Sequence, residues 1–269
     1  MKITEKASEL DILPVDNQLA RDTSLHPNLL HNQWSLLLVA PKGSGKSSLI
    51  MRLLMGIPKR KDKPAQPFYR GHFDKIHIFS PTWCLDLKTK KIHIPEDQIH
   101  NDEEEYESII EEIMLTQELA HEEGEEQDRV LLIFTDLAGS KTFARSHGIY
   151  NRLAFNQRHY NVSMIIDTQK YRSINTAFRS NMTGVVCFTL ANLKEYQALA
   201  EEHSNLLTPA EFKQLFAFCT DEPFSFLFIN YQKPIGQRFH RKYNQLTLDR
   251  SDPNKKIGIT EEISNDKVK

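Results

Sequence analysis

The sequence predicts an α/β fold, with a mostly parallel central sheet flanked by helices on both faces. Two observations carry that expectation. Short apolar runs alternate with helical stretches along most of the chain, the pattern of strands buried on both faces and joined by crossover helices. A glycine-rich stretch, Ala40-Pro41-Lys42-Gly43-Ser44-Gly45-Lys46-Ser47, stands between the first apolar run and the first helix. The polar residues considered below fall at the ends of such runs, where open α/β sheets bind ligands.

The chain has 269 residues, enough for one α/β domain with tails. Hydrophobic residues make up 39%, which suffices for a large core. The net charge of −2 excludes a global basic field, so any polyanion site must be a local patch. No apolar run reaches the roughly 18 residues of a membrane-spanning helix. The segment Met1-Lys2-Ile3-Thr4-Glu5-Lys6 lacks the apolar core of a secretory signal. Cys84, Cys187 and Cys219 lie far apart and read as buried free thiols, not as a disulfide or zinc framework.

The elements follow in order. Residues 1–30 are polar and mixed and read as an N-terminal arm; 31–249 form the domain; 250–269 read as a disordered tail. Trp34 to Val39 is the first buried strand, and a helix runs from Lys46 to about Met55. The basic, proline-bearing stretch 58–67 is a loop. Phe73 to Phe79 alternates and reads as a second strand, stopped by Ser80-Pro81. Residues 102–128 are crowded with acids, but Ile109, Ile110, Ile113, Met114 and the more distant Leu119 recur at helical spacing, giving an amphipathic helix with an acidic outer face. Val130 to Phe134 is a third strand. A helix is expected over about 139–159, and Val162 to Asp167 is a fourth strand. Gly184 to Leu190 is a fifth, helices follow at 192–202 and 208–218, and Phe224 to Ile229 is a sixth strand. Thr208 and Pro209 suit the N-cap and first position of the second of these helices.

The chemistry of the 40–47 stretch explains its residues. It fits G-x-x-x-x-G-K-[ST] with alanine in first position. Successive backbone N–H groups must converge on phosphate oxygens, and Gly43 and Gly45 let the chain turn tightly. The following helix adds the partial positive charge of its N-terminus. Ala40, Pro41, Lys42, Gly43, Ser44, Gly45, Lys46, Ser47 and Ser48 are therefore expected to hold the phosphates of ATP. Lys46 would reach the β- and γ-phosphates, and Ser47 would ligate Mg²⁺.

Asp136 ends the third strand, after Thr135. A carboxylate in that position either orders the Mg²⁺ shell or polarises the attacking water, and the two roles stay open here. Gln169, in Asp167-Thr168-Gln169 at the end of the fourth strand, can hydrogen-bond the γ-phosphate or the water. Arg158, Arg172 and Arg179 flank that strand. One of them entering the site of a neighbouring subunit would stabilise the transferred phosphoryl group.

Taken together these motifs resemble the genome-packaging ATPases of large DNA viruses and virophages, the poxvirus-like packaging ATPases of the FtsK–HerA superfamily, with their RecA-like P-loop NTPase fold. The likeness rests on Ala40–Ser47, Lys75-Ile76-His77-Ile78-Phe79 with Ser80-Pro81-Thr82, and Leu132-Ile133-Phe134-Thr135-Asp136. It rests further on Gln157-Arg158-His159-Tyr160-Asn161-Val162-Ser163, Thr168-Gln169-Lys170-Tyr171, Phe178-Arg179-Ser180-Asn181 and Phe226-Leu227-Phe228-Ile229. It covers roughly residues 30–248. The family usually carries two adjacent acids after the third strand, and here the first of them is Thr135.

The resemblance implies a homo-oligomeric ring, pentameric or hexameric, with ATP at its interfaces and double-stranded DNA in its channel. It also implies a viral capsid or portal vertex as partner, and work in the cytoplasm of an infected cell, at the viral factory or on the virion. On this reading Lys46, Asp136, Gln169, and Arg179 or Arg158 from the next subunit form the catalytic set, with Ser47 and Asp136 on the metal. Lys59, Arg60, Lys61, Lys63, Arg238, Arg241 and Lys242 are candidate DNA-phosphate contacts. Three other readings stay open: a P-loop kinase, a nucleotide-dependent DNA-binding or assembly protein with slow hydrolysis, and a cellular DNA-translocating ATPase.

Overall fold

A computed structural model describes residues 25–61, 64–83, 91–136, 148–190, 192–204, 207–249 and 258–261. The strands are β1 (Ser35–Val39), β2 (Lys75–Phe79), β3 (Ile99–His100), β4 (Val130–Phe134), β5 (Val162–Thr168), β6 (Gly184–Phe188), β7 (Phe226–Asn230), β8 (Phe239–Arg241), β9 (Asn244–Asp249) and β10 (Gly258–Glu261). The helices are α1 (Lys46–Met55), α2 (Tyr106–Glu122), α3 (Ile149–Asn156), α4 (Thr176–Asn181), α5 (Leu193–His203) and α6 (Pro209–Thr220).

All ten strands form one sheet in the order β10-β9-β8-β7-β6-β1-β5-β4-β2-β3. From β6 to β3 the neighbours pair in parallel. From β6 outward through β10 they pair antiparallel. The parallel part behaves as its sequence demands. Every residue of β1, β4, β5 and β6 is buried, so both faces of each strand are covered.

The two faces are covered unequally. Leu37, Val39, Leu132, Phe134, Met164, Ile166, Val185 and Cys187 face a core shared with α2 to α6. Leu36, Leu38, Leu131, Ile133, Ile165 and Val186 face α1 together with Leu25, Leu29, Leu30, Trp34 and Tyr69. Helices therefore lie on both faces, with α1 the one helix of the second core among the described residues.

Two expected boundaries move. Leu25, Leu29 and Leu30 are buried in the second core, so the end of the expected arm belongs to the domain. Apolar spacing over so short a stretch is too sparse to read as an element. Residues 258–261, expected within a disordered tail, pair with β9 as an edge strand. Backbone pairing supplies that strand, and composition does not report it. The rest of the arm and tail, and residues 137–147 of the helix expected over 139–159, lie outside the described residues. The second half of that helix is present as α3, followed by a 3₁₀ turn at Gln157–Tyr160. The sixth strand begins at Phe226, two residues later than expected, because Phe224 takes a positive φ of 62° in the preceding turn. Cys187 and Cys219 are buried free thiols; Cys84 lies outside the described residues.

Candidate active site

β1 delivers the chain to the carboxyl edge of the sheet, and the phosphate loop turns there into α1. Gly43 and Gly45 hold φ of 82° and 104°, the left-handed conformations that a side chain would strain. The N–H of Ala40 donates to the carbonyl of Thr168 at 3.1 Å, which ties the start of the loop to the end of β5. Lys46 opens α1, is only 8% exposed, and donates through Nζ to the carbonyl of Ala40 at 2.9 Å. The ammonium is thus held across the loop it serves. Ser47 is half-buried beside it, and Ser48 is exposed.

Alternation along the strands decides which side chains share this face. In β4, Leu131 and Ile133 point into the α1 core, so Thr135 points the same way. In β5, Ile165 does so, and Asp167 follows it. Asp167 pairs in register with Leu38 of β1, so it lies between the phosphate-loop strand and β4. Thr135 is 5% exposed and Asp167 6%.

Asp136 sits just past β4 with φ of 58°, a left-handed conformation that Asp tolerates better than most residues. Its N–H donates to Asp167 Oδ1 at 3.2 Å, and its own Oδ2 accepts from Thr82 Oγ1 at 2.6 Å. The second contact is a short, charge-assisted hydrogen bond that fixes the carboxylate from the end of β2. Burial pushes the Asp167 carboxyl above its usual range; the Lys46 ammonium and hydrogen bonds from the Asp136 N–H and the Thr135 side chain pull it back down. Gln169 is exposed directly after β5, next to the loop.

The structure therefore gathers Ala40–Ser48, Asp136 and Gln169 at one edge, and adds two residues that the sequence reading passes over. Asp167 belongs to the triplet from which that reading takes Gln169; its signal is a charged residue ending a buried strand. Thr82 follows the Ser-Pro stop of β2, and only the pairing of β2 with β4 brings it to Asp136.

The arginines fare differently. Arg179 is committed within its own chain. Its Nη2 and Nε meet Glu202 Oε1 and Oε2 at 2.7 and 3.1 Å, and Nη1 donates to the Ile174 carbonyl at 2.6 Å. The guanidinium also lies 5.0 Å from the Tyr171 ring centroid. With its side chain 13% exposed, Arg179 holds α4 to α5 and does not extend toward a neighbour. A role in trans would require the guanidinium to exchange Glu202 for the neighbouring site. Arg158 is exposed in the 3₁₀ turn before β5, at the amino edge, opposite the phosphate loop. It cannot serve the site of its own subunit. Arg172 is exposed beyond the carboxyl end of β5.

The basic stretch near the C-terminus is also occupied. Arg241 Nη2 bridges Asp221 and Glu222 at 2.7 and 3.2 Å, and Lys242 reaches Glu222 at 3.7 Å. Arg238 donates to the Lys233 carbonyl at 3.0 Å. By contrast, Lys59, Arg60 and Lys61 are exposed in the excursion pinned by the Ile57–Gln66 bridge; Lys63 lies outside the described residues.

The sequence profile of the poxvirus A32 protein family matches residues 25–208. The chain belongs to the poxvirus A32 protein family. That match spans the phosphate loop, Thr82, Asp136, Asp167 and Gln169 of this A32-family chain. None of the curated proteins matches its sequence. Among solved structures it is similar to the genome packaging NTPase B204 of Sulfolobus turreted icosahedral virus 2 in complex with ATPγS. The TM-score is 0.53 at 16% identity, covering 78% of this chain and 96% of the other. It is also similar to B204, the DNA-packaging ATPase of Sulfolobus turreted icosahedral virus (TM-score 0.52, 15% identity, 76% and 99% covered). The monomer form of the pCW3 conjugation coupling protein TcpA with ATPγS gives 0.50 at 12% identity, with 78% of this chain and 59% of TcpA covered. At these identities the likeness establishes the fold of the A32-family chain as that of P-loop ATPases.

A divalent cation fits the donor set of this A32-family site. Mg²⁺ takes oxygen ligands and is usually held by one or two carboxylates together with substrate phosphates. Ser47, Asp136 and Asp167 offer hard oxygen donors at the carboxyl edge that carries the phosphate loop. Among the described residues no cluster of three or more His, Cys, Asp or Glu side chains could hold a metal ion. Also among the described residues, no helix is long and apolar enough to cross a membrane.

Proposed function

We propose that this chain is the ATP-hydrolysing subunit of a viral genome-packaging motor that drives double-stranded DNA into a preformed capsid. The observation that carries it is the assembly of a phosphate loop, a Thr82-held Asp136 and a buried Asp167 at one sheet edge, in a chain of the A32 family. The names of the B204 proteins, a genome packaging NTPase and a DNA-packaging ATPase, support the same reading.

The backbone N–H groups of 42–48 and the α1 N-terminus bind the phosphates, and Lys46 leaves the Ala40 carbonyl for the γ-phosphate. Mg²⁺, when bound, neutralises charge on the β- and γ-oxygens. Ser47 and Asp167 would hold it, Asp167 standing in for the acid replaced by Thr135. That leaves Asp136 to accept the proton of the attacking water, with Thr82 aiming the carboxylate. Gln169 reads the γ-phosphate. The arginine that enters the neighbouring site comes from an exposed position, Arg158 or Arg172, sooner than from Arg179, which Glu202 holds. The excursion with Lys59, Arg60 and Lys61 offers DNA a backbone-directed contact. A ring of subunits and action in the infected cytoplasm complete the proposal.

Thr135 favours a second reading, a nucleotide-gated DNA-binding protein with slow turnover. Asp167 weighs against it, because the carboxylate missing from β4 is supplied on the same face from β5. The test is steady-state ATP hydrolysis with and without long double-stranded DNA over a range of protein concentrations. Turnover that rises with DNA and steepens with protein concentration supports the motor. Turnover indifferent to both overturns it.

A further inference from the structure

Phe224 lies in the turn between α6 and β7 and is 68% exposed. It is not a stray surface residue. Its ring lies against the phosphate loop: Cδ1 is 3.0 Å from where a Cβ on Gly45 would sit. One side of the ring thus rests on loop backbone while most of the side chain faces water. Its φ of 62° is in the left-handed region, where an aromatic residue is a genuine outlier. Such a conformation persists only where the surroundings hold it.

The surroundings do hold it. Arg241 grips Asp221 at 2.7 Å and Glu222 at 3.2 Å, and its guanidinium lies 5.0 Å from the Phe218 ring centroid. The Ser225 N–H donates to the Glu222 carbonyl at 3.1 Å, and the Lys242 N–H to the Phe226 carbonyl at 2.9 Å. Thr189 Oγ1 donates to the Thr220 carbonyl at 3.0 Å, tying the end of β6 to the end of α6. The turn is clamped on both sides, and the exposed ring is what it presents.

Sheet order gives the direction of a bound nucleotide. Asp136 and Gln169 follow β4 and β5, on one flank of β1. The γ-phosphate must face them. The α-phosphate, ribose and base then leave over the other flank, toward β6 and β7. Phe226 opens β7 opposite Phe188, at the carboxyl end of β6. Phe224, two residues earlier, therefore stands on the base side of the loop.

We propose that Phe224 is the stacking platform for the base of the bound nucleotide. The proposal rests on the reading of residues 40–48 as the phosphate site. An aromatic face accepts any base by stacking and gives modest affinity without hydrogen-bond readout. Phe224 is thus expected to serve purine nucleotides without distinguishing adenine from guanine.

The test compares the binding of ATP, GTP and inorganic tripolyphosphate, each with Mg²⁺, by calorimetry on the full chain. Phe224→Ala should weaken ATP and GTP roughly ten-fold and leave tripolyphosphate unchanged. Phe224→Trp should restore affinity. Trp34 and Trp83 are buried, so the exposed indole of that variant should be quenched by ATP and not by tripolyphosphate. Equal weakening of all three ligands by Phe224→Ala would make the ring a prop for the loop and overturn the proposal, as would unchanged ATP binding. Lys46→Ala separates the premise: if it leaves wild-type-like tripolyphosphate binding, the phosphate-site reading itself fails.

Discussion

The backbone N–H of Asp136 donates to Oδ1 of Asp167 at 3.2 Å, so the acid that follows β4 is anchored by the acid near the end of β5. This contact joins the end of β4 to β5 at the carboxyl edge, where Asp167 feels the charge of Lys46. A site with a threonine where a second acid is expected thereby keeps two acids.

Asp167→Asn preserves an acceptor for the Asp136 N–H but removes the charge. Affinity for ATPγS measured with Mg²⁺ should fall roughly ten-fold, and affinity measured in excess chelator should stay the same. An equal loss in both conditions would make Asp167 a structural residue only.

Asp136→Asn should bind ATP normally and hydrolyse it at least about 100-fold more slowly, the typical weight of a general base. Thr82→Val removes the 2.6 Å hydrogen bond and should lower turnover less, with ATP affinity intact. Single-turnover hydrolysis beside equilibrium binding checks both. Unchanged turnover in Asp136→Asn would place the proton acceptor elsewhere.

Lys46→Ala removes the one buried ammonium of the phosphate loop. Turnover should drop by roughly 100-fold or more, as when a preorganised charge-stabilising donor is deleted. Near-normal turnover in a steady-state assay would remove the site assignment.

Arg179→Ala breaks the bidentate pair with Glu202 and leaves a partly buried carboxylate. The expected loss is about 1–3 kcal/mol, below that of a fully buried pair because the Glu202 side chain keeps 33% of its exposure. Denaturant titration of dilute protein should show it. A variant with unchanged stability that loses turnover only at high protein concentration would assign Arg179 the trans role instead.

Acid should destabilise the fold before its carboxylates titrate. His203 and His240 are 4% and 0% exposed, and burial lowers the pKa of each to about 4. Both ring nitrogens of His203 face hydroxyls, those of Tyr171 and Tyr231 at 2.7 and 2.5 Å. A histidine depressed in the folded state contributes fully above its unfolded value near 6.5 and loses that contribution as pH falls toward 4. At pH 5 the loss is about 2 kcal/mol for each. Unfolding free energies at pH 7 and pH 5 check the sign, and His203→Gln should flatten the dependence.

The sequence alone determined the parallel core and the phosphate loop. Continuous apolar strands admit only a sheet covered on both faces, and the glycine pattern of 40–47 encodes a backbone shape that side chains would obstruct. Asp136 and Gln169 were legible because they end such strands. The tertiary structure decided what depends on partners distant in the chain. Asp167 joins the site through register with Leu38, Thr82 through the pairing of β2 with β4, and Phe224 through a turn that folds back onto Gly45. It also set the partners of Arg179, which is paired with Glu202, and of Arg241, which is paired with Asp221 and Glu222. Local pattern specifies backbone periodicity and turn chemistry. Which charges are left to act on a ligand is set by long-range packing, and no short stretch of sequence contains both members of a pair.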